Sequence, residues 1–444
     1  MTEKKKLFSL TFPIFLESLL FSIIGSVDTI MLSRYNDSAV GAVGVVNQMI
    51  FLILIAGNII LSGTGILLAQ AIGAKRSKAH LQKLTLTAIL VNLIMGFLFS
   101  LAFVAFSGSV LSIMNLRGEM LAFAKQYLVI VGGFIFMQLL AMTFSMFLRS
   151  FGKTKATLKI SIITNLTNVF LNYLLIYGHL GFSAMGVRGA AIATIISRGL
   201  GMIILSYLVY DLIFKPKMVS FTMGDFKENI PAILKFGLPA AGEQISYNLA
   251  RFVMMLMITR LGEVAITAYS YSNTLVSFVY IFAVSLGQGT SIMIGWHFGA
   301  KNYLKTKDLT SFASKASFII SMLACLILVL FRVPLLGLLT NNLQIITLAS
   351  QVLVFNFILE AGRSQNLIFV SALRASSDVK FPFYVGVLSM WSVGVFLAYF
   401  FSFPLQMGLV GVWLALGLDE IVRSIFMRLR WRKNMQKIFL ELSS

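Results

Sequence analysis

Charge is scarce in this sequence, and acidic charge most of all. Only 12% of its 444 residues are Asp, Glu, Lys or Arg, and just 16 are acidic. So thin a polar complement cannot cover a water-soluble surface on a chain that is 58% hydrophobic, so its main solvent is lipid. The single cysteine, Cys325, lies inside the apolar run ISMLACLILVL, which excludes an intrachain disulfide framework and a thiolate metal cluster. Only three histidines occur, His80, His179 and His297, at or near the ends of different apolar runs and without metal-ligand spacing. No HExxH, paired-Asp or nucleophile motif is present, so neither a membrane-embedded enzyme nor a resident cofactor is expected.

Basic charge is plentiful by comparison. The formal charge of +20 is spread in short clusters between apolar runs instead of being gathered in one domain, which argues against a nucleic-acid partner and points to membrane topology. A spanning helix needs about 20 mainly apolar residues. Twelve such runs occur, at 7–33, 41–72, 85–107, 121–148, 157–178, 187–212, 230–259, 266–298, 310–332, 345–372, 382–402 and 408–430. The opening MTEKKK has the look of a signal peptide, but the run from Leu7 to Ser33 is too long for one and lacks a small-residue cleavage signature; it reads as a retained first span. Both termini and the even-numbered connections carry 26 cations, from Lys4 to Lys437, against six in the odd-numbered connections: Arg34, Arg117, Lys125, Arg188, Arg260 and Arg332. The positive-inside rule then places both termini in the cytoplasm of a cell whose cytoplasmic membrane holds the multi-pass chain.

The sequence also repeats itself. Comparing each residue from Pro13 to Lys75 with the one 226 positions later gives 15 identities in 63 positions without a gap. Shared aliphatic composition would match only aliphatic letters, but here Pro13/Pro239, Glu17/Glu243, Arg34/Arg260, Asn47/Asn273, Gly63/Gly289 and Lys75/Lys301 coincide in register. Six spans per half give the halves one orientation. The expected fold is therefore an all-α polytopic membrane protein, with twelve transmembrane helices in two six-helix bundles related by a pseudo-twofold axis along the membrane normal. The expected division is 1–213 for the first bundle, 214–229 for a cytoplasmic linker, and 230–444 for the second bundle with its basic tail. Such an architecture implies alternating access around a central cavity, and a monomer in the bilayer is expected.

The segments PIFLESLLFSIIGSVDTIMLSRYNDSAVGAVG from Pro13, FLRSFGKTKATLKISIITNLTNVFLNYLLIYG from Phe147 and GVRGAAIAT, ending at Thr194, resemble the multidrug and toxic compound extrusion (MATE) family. Second-half counterparts are GLPAAGEQISYN, GQGTSIMIGWHFGAKN and SALRASSDVKFP, and the resemblance covers essentially the whole chain. It implies export of small amphipathic, often cationic organic compounds in exchange for protons or sodium ions. Composition and periodicity alone give only a duplicated transporter.

Asp28 is the leading candidate for cation coupling, because an ionised carboxylate at a helix centre in hydrocarbon costs about 3 kcal/mol or more unless it faces protein or water. Its repeat partner is Met254, whereas an acid serving architecture alone would recur in both halves. The alternative is an interfacial carboxylate capped by Thr29 or paired to Arg34. The resemblance implies a coupling role for the acid of the VDT segment, and a sodium ion near Asp28 is one form of it. Glu17 lies eleven residues earlier, about three helical turns, so both carboxylates share one face of the first span. Glu17 and Glu243 each follow a proline, Pro13 or Pro239, by four residues; they line the cavity or gate, or else they tie the halves together.

Ser161, Asn165, Asn168 and Asn172 form a polar stripe on span five, suited to cation coordination or to packing between helices. Asn168 and Asn172 match paired polar positions of the family, where some members have Asp at the second position. Thr194, Tyr247 and Glu360 join the cavity or gating candidates. Arg251, two turns from Glu243 on the same face, is expected to balance that charge, and Glu360–Arg363 and Asp419 or Glu420 with Arg423 have the spacing of neutralising pairs. In the NorM-like sodium branch a second-half acid lies about two turns beyond the span-seven proline; Tyr247 occupies that place here, which disfavours a sodium site in the second half.

Two other transport functions compete. A lipid-linked saccharide flippase is the nearer, but such proteins tend to have a strongly cationic cavity and further spans. A channel is disfavoured by the duplicated proline-bearing helices and the lack of a filter-like segment. The 22 methionines and 39 phenylalanines suit a promiscuous apolar cavity, although most face lipid or pack helices.

Overall fold

The computed structural model describes residues 2–114 and 116–443, which are helical apart from short turns, with no strand among them. The twelve long elements are α1 (Glu3–Ser33), α2 (Asp37–Gly73), α3 (Lys78–Ile113), α4 (Gly118–Tyr127, Leu128–Gly132 and Ile135–Ser150), α5 (Thr154–Tyr177) and α6 (Val187–Val209, continued by Tyr210–Phe214). They continue with α7 (Met223–Thr259), α8 (Glu263–Gly299), α9 (Tyr303–Leu330), α10 (Leu343–Val354 and Asn356–Ala375), α11 (Lys380–Ser389, Met390–Val395 and Phe396–Ser402) and α12 (Gly408–Ser443). Every expected span falls within one of these to two residues or better. Eight are individually long and apolar enough to cross a membrane, and α4 and α10, bent by 47° and 46°, bring the number to ten. The other two, α7 and α12, carry charge inside their apolar stretches: Glu243 and Arg251 in one, Asp419, Glu420 and Arg423 in the other. The chain is thus a multi-pass membrane protein of twelve helices.

Polar side chains start several helices. Asn36 accepts from the Ser38 amide at 2.7 Å to open α2, Ser77 accepts from His80 to open α3, and Asn342 accepts from Gln344 to open α10. The sequence repeat is also a backbone repeat. Lys75 and Lys301 end α2 and α8 with φ of 51° and 57°, left-handed conformations unusual for lysine. The following amides, Arg76 and Asn302, then donate to carbonyls five residues back at 3.0 and 2.8 Å.

By contact the chain divides into two units. The first is Leu16–Leu238; the second is the chain from Pro239 onward with the opening of α1 up to Phe15. The division runs inside α1 and α7, beside the duplicated prolines, and not at the expected linker 214–229, which belongs wholly to the first unit. The reason is a strap. The buried Gln82 side chain donates to the carbonyls of Ile213 and Lys217 at 2.8 and 3.0 Å and accepts from the Val219 amide at 2.8 Å. Lys83 then pairs with Asp225 at 2.7 Å, and Asn229 donates to Thr87. The Lys83 ammonium, helped by the Thr222 amide and hydroxyl, holds the Asp225 carboxyl down at about 2. Further along, a Cβ on Gly63 of α2 would overlap the Ile233 carbonyl, and one on Gly237 of α7 the Ile59 carbonyl, so the two backbones cross in direct contact. The second unit is built around Trp413, Leu353, Val412 and Ile258, with a separate cluster at its basic end.

Candidate cation and substrate site

In the first unit α1 lies along α5, and polar contacts join them at three levels. Thr157 donates to Glu17 at 3.0 Å, Asn172 donates to Asp28 at 2.8 Å, and the Tyr177 hydroxyl donates to the Met31 carbonyl at 2.7 Å. The acidic face expected on α1 is therefore the face turned to α5. Asp28 is partly buried, and Asn172 is fully enclosed. The Asn172 amide nitrogen spends its protons on Asp28 Oδ1 and, at 3.3 Å, on Asn168 Oδ1. Its own Oδ1 is buried with no hydrogen-bond partner among the described residues. Asp28 thus accepts from Asn172 across the two helices, and Asn172 Oδ1 is a buried acceptor left without a donor among the described residues.

The rest of the polar stripe divides. Asn165 donates to Ser161 within α5 at 3.2 Å, and Thr194 donates back to the Ala190 carbonyl of its own helix at 2.8 Å. The site also reaches α6, through a residue that neither spacing nor resemblance singles out. The Arg198 guanidinium acts electrostatically on both Asp28 and Tyr127, and the Tyr127 hydroxyl is hydrogen-bonded with Thr194. Arg198 of α6 is thus a cation within electrostatic range of Asp28. One signal was available: after cations at the connections are counted, four arginines remain inside spans, and Arg198 is one of them.

The duplicated glutamates are both engaged in ion pairs within their own units. Glu17 pairs with Arg149 of α4 at 2.8 Å, and Glu243 pairs with Arg374 of α10. The two arginines occupy matching places in the counterpart segments FLRS and SALRAS. Arg251 does not balance Glu243; it donates to Asn273 at 2.9 Å and stands over the Tyr269 ring at 5.5 Å, with Tyr247 beside it. Glu360 is wholly buried and pairs with Arg363 at 2.8 Å, as its spacing predicts. That pair merges with the other: Arg423 bonds Asp419 at 2.7 Å and Glu420 at 3.0 Å, while Asn366 and Ser389 donate to Glu420 and Asp419. The result is a charge-neutralising lattice across α10, α11 and α12, in which Glu360 Oε2 is buried without a hydrogen-bond partner among the described residues.

Comparison with known proteins agrees with this architecture. The MatE family model matches twice, at residues 13–174 and 239–400, and its second copy starts 239 − 13 = 226 positions after the first, the interval of the repeat. The uncharacterized transporter YisQ of Bacillus subtilis is 37% identical over 433 residues, covering 97% of this chain and 94% of that protein. The probable multidrug resistance protein NorM of Thermotoga maritima is 28% identical over 444 residues, covering 97% and 93%. Among solved structures, MATE in its bent conformation superposes with a TM-score of 0.89 at 21% identity, over 99% of this chain and 97% of that one. A mutant of the Vibrio cholerae MATE transporter VcmN does so with 0.89 at 19%, over 98% and 97%. The same fold, the doubled family match and relatives aligned from end to end converge on one assignment: the chain belongs to the MatE family of multidrug transporters.

Proposed function

We propose that the protein is a cation-coupled antiporter that exports amphipathic, often cationic compounds by alternating access, with Asp28 as the coupling residue. The observation that carries this reading is the acceptor pair of the first unit: Asp28 bonded by Asn172, whose own Oδ1 is buried and unpartnered. Its asymmetry supports the role, since Met254 takes the place of Asp28 in the repeat while the braces Glu17–Arg149 and Glu243–Arg374 occur in both halves. A proton on Asp28, or a sodium ion between its carboxylate and Asn172 Oδ1, cancels the charge that Arg198 and Asn172 face. The tie between α1 and α5 at that level is then released, and α1 rearranges near Pro13, where the proline breaks the helical hydrogen-bond ladder. Both termini lie in the cytoplasm in this scheme, and the cation enters from outside.

Ethidium efflux from everted vesicles, energised separately by a proton gradient and by a sodium gradient, tests the proposal. Transport that follows one gradient and disappears in Asp28→Asn at unchanged expression supports it; Asp28→Asn with an intact efflux rate sinks it. If neither gradient drives ethidium, transport of a lipid-linked saccharide becomes the reading to pursue.

A further inference from the structure

Drug export leaves the basic end of the second unit unexplained. α12 is 36 residues long, about 54 Å at ~1.5 Å per residue, whereas the hydrocarbon of a bilayer takes about 30 Å. Its closing turns lie back on the α8–α9 turn: Trp431 and Met435 are buried in one cluster with Met293 and Leu309, and Lys307 stands 5.5 Å from the centre of the Phe439 ring. Beside them is a groove of about 350 Å³, lined by Lys301, Asn302, Tyr303, Leu304, Phe439 and Leu442.

Two properties of this surface call for the same occupant. Leu304, Leu440 and Leu442 are 60%, 70% and 65% exposed, a concentration of apolar side chain unusual at a water-facing helix end. The charge is also unbalanced. Lys305 reaches Glu3 and Lys437 reaches Glu441, each at 3.7 Å, but Lys301, Lys307, Arg432 and Lys433 have no carboxylate in ionic reach among the described residues. A free phosphate would leave the leucines in water, and an apolar ligand would leave the cations unpaired. An anionic amphiphile satisfies both.

We propose that this groove binds an anionic glycerophospholipid of the leaflet on the side of the termini. Its phosphate sits by Lys301 and Lys307, its upper methylenes lie over Leu304 and Leu442, and Arg432 and Lys433 extend the positive face along α12. The inference rests on the cytoplasmic placement of the termini and is independent of which cation drives transport.

Native mass spectrometry of the purified full-length protein, presented with phosphatidylglycerol or phosphatidylcholine of equal chain length, tests it. Phosphatidylglycerol is expected to bind roughly tenfold more tightly or better. Lys301→Gln/Lys307→Gln loses most of that preference while running as a folded monodisperse species. Lys153→Gln/Lys155→Gln, which removes two cations from the first unit, keeps it, and glycerol 3-phosphate does not displace the lipid. Equal binding of the two lipids, an unchanged preference in the Lys301→Gln/Lys307→Gln variant, equal loss in both double variants, or displacement by glycerol 3-phosphate would each overturn the proposal.

Discussion

Asp28 is partly buried and Glu360 wholly buried in a membrane-embedded chain, and the surroundings of the two carboxylates differ. Asp28 has one amide donor and a guanidinium in electrostatic range, whereas Glu360 is bonded by Arg363 inside a lattice shared with Glu420 and Arg423. Removing one partner of a buried ion pair strands the other, at a cost of about 3–5 kcal/mol. Glu360→Gln should therefore lower the thermal unfolding temperature and the folded yield; normal stability with lost transport would instead make Glu360 a coupling residue. The site around Asp28 predicts a different pattern. Asn172→Leu removes the donor to Asp28 and the free acceptor together and should abolish most ethidium efflux at normal expression, while Asn172→Asp, which keeps an acceptor at that place, should retain a substantial part of it. For Glu17 and Arg149, single substitutions and the double substitution should not add: a coupling of about 1–3 kcal/mol is expected from a double-mutant cycle on unfolding in detergent. Asp28, Asn168 and Asn172 were legible in the sequence because polar groups stand out against hydrocarbon. Arg198 was not, since whether it faces Asp28 depends on the rotation of α6, which hydropathy does not encode.

At the scale of helices, the crossing of α2 and α7 is the least tolerant element. Gly63 and Gly237 each place backbone against backbone, and a side chain at either must push two helices apart. Gly237→Val should reduce the monodisperse fraction in gel filtration severely, whereas the same change at Gly108, where a Cβ meets no atom within 4 Å, should leave it unaffected. The strap from Phe214 to Asn229 has its own signature in pH. Because the Asp225 carboxyl is held at about 2, its stabilising contact is fully present above the ordinary carboxylate range near 4 and is lost only as the pH falls toward 2. Tryptic cleavage at Lys217, taken relative to a free reference peptide at each pH so that trypsin's own pH dependence cancels, should accordingly be constant between pH 5 and 8, and a pH dependence of transport in that window must come from elsewhere. Span positions were legible to within a few residues because lipid demands continuous apolar runs. The bends were harder to place: no proline marks the breaks in α4 and α10, the first of which follows Gly132 and Gly133 while the second falls at Phe355. The last turns of α12 were also missed, since Trp431, Met435 and Ile438 follow an amphipathic helical pattern inside a sequence whose charge reads as a tail.

At the scale of the whole molecule, the repeat is visible in the sequence, in the family match, in the lysine-ended turns of α2 and α8 and in the two glutamate–arginine braces. What the repeat does not copy is Asp28. Unit boundaries were harder to read than the repeat, because contact assigns the opening of α1 to the second unit and the opening of α7 to the first, each changing at its proline. The proposed cation coupling therefore lies in one half of a duplicated framework. The most direct measurement is coupled flux in proteoliposomes: an imposed ethidium gradient, with internal pH read by a trapped dye and sodium movement followed with a radioactive tracer. Wild-type protein should move one of the two cations against the ethidium flow, and Asp28→Asn should move neither. Countermovement that persists in Asp28→Asn would contradict the assignment of coupling to this site.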